Sequence, residues 1–329
     1  MSHFDSLEYF QLGDYQLING QVLKDAKLAY KVYGVLNEER DNVIVYPTWY
    51  SGFVTDNEWL IGTDKALNPD KYFIVVPCLF GNGESTSPGN SVNCFSKDFI
   101  KITLYDNVSA QHRLVTEKLG VKKVKLVVGW SMGAQQSYQW ACLFPELVER
   151  AVPFAGSART SPHNFVFLES LRNILTLDIP KETKLKAFAR VYAGWGFSQP
   201  FYRDETWREL GFKSLEEFLV GFWEAFFLKR EPENLATLIY TWQYGDISDN
   251  PVFLKNFNKC CNSIKPKLYI LAPEIDLYFP KEDNFLEEKL IPNSKVFVIP
   301  GVWGHFAGGG INPADTNFID NHIRMLLDN

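Results

Sequence analysis

Short, continuously apolar runs alternate along much of this chain with segments of helical periodicity. Val43–Tyr46, Tyr72–Pro77, Val124–Gly129, Arg150–Phe154, Leu268–Ala272 and Val296–Ile299 are apolar over four to six positions. Such runs predict strands covered on both faces. Lys27–Tyr33 alternates apolar and polar residues before Gly34, the pattern of a half-exposed strand. Between the second and third runs, Asp106–Leu119 places Val108, Leu114, Val115 and Leu119 on one face, with Asp106 as the expected N-cap and Gly120 as the stop. Asn312–Leu327 predicts a closing helix with Pro313 in its first turn. Strands that alternate with helices pair in parallel, so the expected class is α/β with helices on both faces of a mostly parallel sheet.

One stretch departs from this alternation. From about Ser161 to Cys261 only helical patterns occur, over Phe165–Leu177, Lys181–Ala193, Ser214–Phe227 and Glu233–Tyr244. The expected organisation is therefore a sheet domain, 1–160 and 262–329, carrying an inserted helical lid, 161–261. The chain has 329 residues with 26 Phe, 15 Tyr and 9 Trp, and many of these rings fall in the insertion. Most should pack it onto the sheet domain, and a minority should line an apolar pocket beneath it.

Composition narrows the class further. The chain is 46% hydrophobic with a net charge of −6 and no basic tract, which argues against nucleic acid and anionic membranes as partners. Cys78, Cys94, Cys142, Cys260 and Cys261 lack paired CxxC spacing, so buried free thiols are expected rather than a disulfide framework or a zinc site. No His/Cys/carboxylate cluster has ligand spacing, and no metal or redox cofactor is expected. The first residues lack a basic and then apolar leader, and no apolar run approaches the roughly 20 residues of a membrane helix. These features give an expectation of a soluble, cytoplasmic protein.

The strongest chemical signal is Gly129-Trp130-Ser131-Met132-Gly133, lying between a buried strand and a helical run from Ala134 to Phe144. A serine there sits on a turn so tight that the residues two positions away must lack side chains, and the turn lifts its hydroxyl clear of the sheet. The Met132 N–H, opening the next helix, then points toward any oxygen bound near Ser131. A serine nucleophile needs a base. His3 lies near the terminus, His112 and His322 fall within helices, and His163 opens the insertion. His305 follows the last apolar run in a glycine-rich loop, where an open α/β sheet places its site, so it is the expected base with His163 as the alternative. The acid that orients the imidazole is expected at Asp276, just beyond Leu268–Ala272, with Glu274 as the competitor. The order Ser131, Asp276, His305 is that of α/β-hydrolases. A second oxyanion donor is expected in Tyr46-Pro47-Thr48-Trp49; Pro47 has no N–H, which leaves Thr48 or Trp49, and Thr48 is the choice.

At these residues the chain resembles the homoserine O-acetyltransferase branch of the α/β-hydrolases over nearly its whole length. The likeness is carried by Leu28-Ala29-Tyr30-Lys31-Val32-Tyr33-Gly34, by Gly129-Trp130-Ser131-Met132-Gly133, by Asp276-Leu277-Tyr278-Phe279-Pro280 and by Gly304-His305. The resemblance implies a lidded α/β-hydrolase fold, an acyl-serine intermediate, acetyl-CoA or another acyl-CoA as a co-substrate, and a homodimer through the lid. It also implies Ser131 as nucleophile, Asp276 as orienting acid and His305 as base. Phe306 stands where these acetyltransferases typically carry an aspartate that holds the substrate ammonium, and burying an ammonium there costs several kcal/mol. The machinery is kept while the acceptor pocket has changed. The expected activity is hydrolysis of a small or apolar ester; O-acyl transfer to an alcohol and a non-catalytic binding role are the alternatives.

Overall fold

The computed structural model describes residues 7–91 and 100–328. Eight strands form one sheet in the order β1-β2-β4-β3-β5-β6-β7-β8. They are β1 (Glu8–Gln16), β2 (Val22–Tyr33), β3 (Val43–Val45), β4 (Phe73–Pro77), β5 (Val124–Trp130), β6 (Arg150–Phe154), β7 (Lys267–Pro273) and β8 (Ser294–Ile299). Pairing from β4 through β8 is parallel, whereas β1 and β2 pair antiparallel at one edge. The apolar runs became the parallel strands, and in the interior strands β3, β4 and β5 both faces are covered. Ile44, Ile74, Leu126 and Val128 enter one hydrophobic cluster, and Val43, Val45, Val75 and Val127 enter another on the opposite face.

Helices cover both faces. α1 (Leu104–Arg113) passes into a π-helical turn at Leu114–Lys118, and α2 (Met132–Leu143) follows β5. α1 begins two residues before Asp106. Thr103 is its N-cap, accepting from the Asp106 N–H, while Asp106 at the third helical position bonds back to the Thr103 N–H. The Thr-x-x-Asp pair thus forms a reciprocal cap in which the expected N-cap is the third-position partner.

Between β6 and β7 the chain is helical. It comprises α3 (Pro162–Thr176), α4 (Lys181–Gly196), α5 (Gln199–Arg203), α6 (Leu215–Phe218), α7 (Ala225–Phe227), α8 (Pro232–Gln243) and α9 (Phe257–Asn262). A π-helical stretch, Leu219–Glu224, joins α6 to α7. Phe167, Phe188, Tyr192, Phe197, Trp223 and Trp242 from these helices belong to the same apolar cluster as one face of the sheet. α10 (Lys281–Leu290) and α11 (Pro313–Leu327) complete the fold. Among the described residues, no helix is long and apolar enough to cross a membrane. Cys78, Cys142, Cys260 and Cys261 are buried free thiols; Cys94 lies outside the described residues.

Candidate active site

Ser131 stands at the junction of β5 and α2 with φ 58° and ψ −122°, a left-handed conformation costly for a residue with a Cβ. Its N–H donates to the Phe154 carbonyl at 3.1 Å, and its own carbonyl accepts from the Ala134 and Gln135 N–H groups. The two flanking glycines are sterically required. A Cβ on Gly129 would lie 2.2 Å from the Gly133 carbonyl oxygen, and one on Gly133 would lie 2.9 Å from that of Pro47. Residue 156 must also be bare, since its Cβ would come within 2.7 Å of the Ser131 carbonyl oxygen.

His305 lies in a short 3-10 turn, Gly304–Gly308, beyond β8. Its Nδ1 is 2.8 Å from Asp276 Oδ2, with both side chains buried. The other oxygen, Asp276 Oδ1, accepts from the Tyr278 N–H at 2.8 Å and the Phe279 N–H at 3.1 Å. These bonds hold the carboxylate in one orientation. With its proton on Nδ1, the imidazole keeps Nε2 free to accept another. The ring packs face-on to Trp130 (5.2 Å between centroids) and edge-on to Tyr278, and the Trp130 indole N–H donates to the His305 carbonyl at 3.2 Å. Residue 308 must be glycine for this contact, because a Cβ there would sit 2.4 Å from the Trp130 ring.

The competitors lie elsewhere. Glu274 pairs with Lys281 at the surface. His163 is exposed in the first turn of α3, its ring beside Trp195. His112 stacks on Phe144, and burial lowers its pKa below the ordinary imidazole value. His322 is bonded through Nδ1 to the Phe318 carbonyl. His3 lies outside the described residues.

Thr48 requires a correction. Its N–H donates to the Pro77 carbonyl at 3.1 Å, continuing the β3–β4 ladder that the Tyr46 N–H begins on Val75. It is therefore not available to an oxyanion. β3 lies between β4 and β5, so successive residues present their N–H groups to opposite neighbours. Past the end of β3 the loop lies against α2, where the Thr48 carbonyl accepts from Gln136 Nε2 at 2.9 Å. Among the described residues the Trp49 N–H makes no hydrogen bond to the protein. The Met132 N–H opens α2 and has no intrahelical partner. Of the two donors the sequence leaves after Pro47, Thr48 and Trp49, the ladder bond takes up the first.

Ser131 and His305 line one cavity of about 210 Å³ together with Trp49, Ser51, Asp56 and Phe306. The remaining walls are mainly aromatic and come from the helices between β6 and β7. Phe306 is stacked on Phe197 (4.6 Å, 18°) and lies edge-on to Trp223. Asp56 faces Arg230, with Oδ2 and Nη2 3.4 Å apart, so its charge is already matched. Burial lowers the Arg230 pKa, and its guanidinium lies between the rings of Phe53 and Phe226 at 3.9 and 4.5 Å. Burial holds the Tyr192 phenol, another part of the lining, far above its ordinary pKa, so it stays a neutral hydroxyl. Among the described residues, no group of three or more His, Cys, Asp or Glu side chains is arranged to hold a metal ion.

A strand-turn-helix serine, a loop histidine beyond the last strand and a mostly parallel eight-stranded sheet define a class. The chain belongs to the alpha/beta hydrolase fold family, which matches residues 51–308. It is 35% identical to an ethyl acetate hydrolase of Pseudomonas veronii, covering 97% of this chain and 95% of that protein. The structure of an acetylester hydrolase from Corynebacterium glutamicum superposes with a TM-score of 0.93 at 33% identity, covering 98% of this chain and 96% of that one. A homoserine O-acetyltransferase of Nostoc punctiforme is 28% identical over 91% of each chain. The protein is an enzyme, a hydrolase or acyltransferase on the alpha/beta hydrolase fold.

Proposed function

We propose that this chain is a serine esterase that hydrolyses small esters, acetyl esters of short alcohols foremost, through an acyl-serine. Ser131 Oγ attacks the ester carbonyl carbon as its proton passes to His305 Nε2, and Asp276 stabilises the imidazolium that forms. The N–H groups of Met132 and Trp49 receive the oxyanion. The tetrahedral centre collapses, the C–O bond to the alcohol breaks, and the alcohol leaves with the proton from Nε2. Water attacks the acyl-serine with His305 again as base, which releases the acid and restores Ser131.

The observation that carries this reading is one aromatic-walled cavity reached by both Ser131 and an imidazole that is 2.8 Å from a buried carboxylate. A cavity of about 210 Å³ suits a small ester, and the ethyl acetate and acetylester hydrolases among its relatives support an acetyl group. Phe306, packed among other rings, has no carboxylate to pair with an ammonium. Buried free thiols support a cytoplasmic location.

The 28% identity to a homoserine O-acetyltransferase favours a second reading, transfer of the acyl group to an alcohol with acetyl-CoA as donor. One experiment separates the two. The enzyme is mixed with p-nitrophenyl acetate or with acetyl-CoA, and the intact protein is weighed by mass spectrometry with and without added alcohols. Esterase action predicts an acetyl group on Ser131 from the ester and its discharge by water alone. Discharge only by an added alcohol would establish the transferase instead. Ser131→Ala should lower ester turnover by roughly 10⁴-fold or more, and near-wild-type turnover would remove Ser131 from the mechanism.

A further inference from the structure

The loop after β3 carries a second exception besides its free amide. Ser51 has φ 57°, a left-handed backbone that disfavours any residue with a Cβ by roughly 1–2 kcal/mol. It is only 2% exposed, and its hydroxyl has no hydrogen-bond partner. The conformation is enforced from outside the loop: Arg230 Nε donates to the Ser51 carbonyl at 2.8 Å, and that guanidinium is itself fixed between Phe53 and Phe226. A strained backbone that presents an unsatisfied buried hydroxyl points to a ligand contact, because leaving such a group unpaired typically costs about 1–3 kcal/mol.

The surroundings define the ligand. Ser51 lines the same cavity as Ser131 and His305. Of the other polar groups in that wall, Asp56 is matched by Arg230, and the Trp130 indole N–H is bonded to the His305 carbonyl. The Trp49 and Trp223 indole N–H groups are buried and unpartnered like the Ser51 hydroxyl, and Trp49 comes from the same loop as Ser51. An indole N–H can only donate. The wall therefore holds three buried, unsatisfied groups able to donate, set among aromatic rings, and the Ser51 hydroxyl is the one carried on a strained backbone.

Resting on the esterase reading, we propose that Ser51 is a specificity residue that donates a hydrogen bond to a second oxygen of the substrate. The preferred class is then a small ester bearing an ether, keto or hydroxyl oxygen besides the ester group. A plain hydrocarbon ester leaves the hydroxyl unpaired.

The test uses isosteric pairs differing by oxygen for CH2. 2-Methoxyethyl acetate against n-butyl acetate places the oxygen in the alcohol half, and ethyl methoxyacetate against ethyl butanoate places it in the acyl half. The quantity read is the kcat/KM ratio within each pair, compared between wild type and Ser51→Gly, which cancels intrinsic reactivity. Glycine accepts φ 57° without strain and removes the hydroxyl. One pair should lose its ratio by roughly 3- to 10-fold in the variant, the size of one neutral hydrogen bond; which pair responds shows the half that Ser51 reads. Ser51→Ala should give the same loss, with circular dichroism and urea midpoints verifying its fold. Ratios equal in wild type and Ser51→Gly, or equal losses on both members of each pair, would overturn the proposal while leaving the esterase reading intact. Turnover of none of the four esters by wild type would overturn both.

Discussion

Glu287 is buried on α10. It accepts from the Tyr138 hydroxyl at 2.8 Å, the Ala158 N–H at 2.6 Å and Asn284 Nδ2 at 2.9 Å. Burial is the main reason its pKa is raised, to about 7, and Asp283 adds to the rise. The fold therefore favours the protonated acid. Relative to the unfolded chain, the contribution of Glu287 is fully present below about pH 4.5 and is lost as pH rises toward 7, a change of roughly 3 kcal/mol. Glu287→Gln removes the titration. The stability of wild type relative to this variant should fall between pH 5 and pH 8, read as the difference of urea midpoints across that range. A difference independent of pH would show that Glu287 does not titrate there. Nothing in the sequence marks this residue: Glu287 occurs in an ordinary amphipathic pattern, and its burial depends on how α10 meets α2 and the loop after β6. Ser131 and His305 were legible because glycines and a terminal loop announce them. Asp276 was the expected acid, with Glu274 a competitor because both follow the same strand. Only the packing shows that Glu274 turns outward to Lys281 while Asp276 meets His305.

At the scale of elements, the junction of β5 and α2 is the most constrained part of the fold. β5 runs between β3 and β6, and α2 must begin within one residue of the strand's end. This is possible only because Gly129 lets the Gly133 carbonyl approach where a Cβ would otherwise be. Gly129→Ala should displace the start of α2 and cost about 1–3 kcal/mol of stability, read from the urea midpoint, with ester turnover falling by more than the unfolded fraction explains. Full activity in a folded Gly129→Ala protein would show that the elbow tolerates the methyl. β3, β4, β5, β6 and β7 were readable because burial on both faces makes them continuously apolar, whereas β8, half-buried at the sheet edge, was readable from its run Val296–Ile299. β1 was not, because its pattern of exposed and buried positions mixes polar residues through the strand and its pairing with β2 carries register shifts. The helices between β6 and β7 were readable by period. The π-helical stretch at Leu219–Glu224 was not, since one extra residue per turn leaves no compositional mark.

At the scale of the whole molecule, the helices between β6 and β7 and the sheet share one apolar cluster, and the contact runs through the residues that hold Asp276. Tyr278 and Phe279, whose N–H groups fix that carboxylate, are packed against Phe167 (4.9 Å to Tyr278) and Trp242 (5.4 Å to Tyr278, 5.7 Å to Phe279). Asn164 Nδ2 from α3 donates to the Tyr278 carbonyl at 2.9 Å. Removing the helical layer would thus expose one face of the sheet and release the acid's loop together. An independent domain would instead keep its own core and melt separately. Shared burial predicts one cooperative unit: along a urea gradient, peptides from α4 and from β5 should lose hydrogen-exchange protection at the same denaturant concentration. Trp242→Ala should lower both together by about 3–5 kcal/mol, and it should also lower kcat, because the Asp276 loop loses its support, with Trp242→Phe restoring most of each. Loss of protection in α4 at lower urea than in β5 would show instead that the helical layer folds on its own and that the orientation of Asp276 does not depend on it.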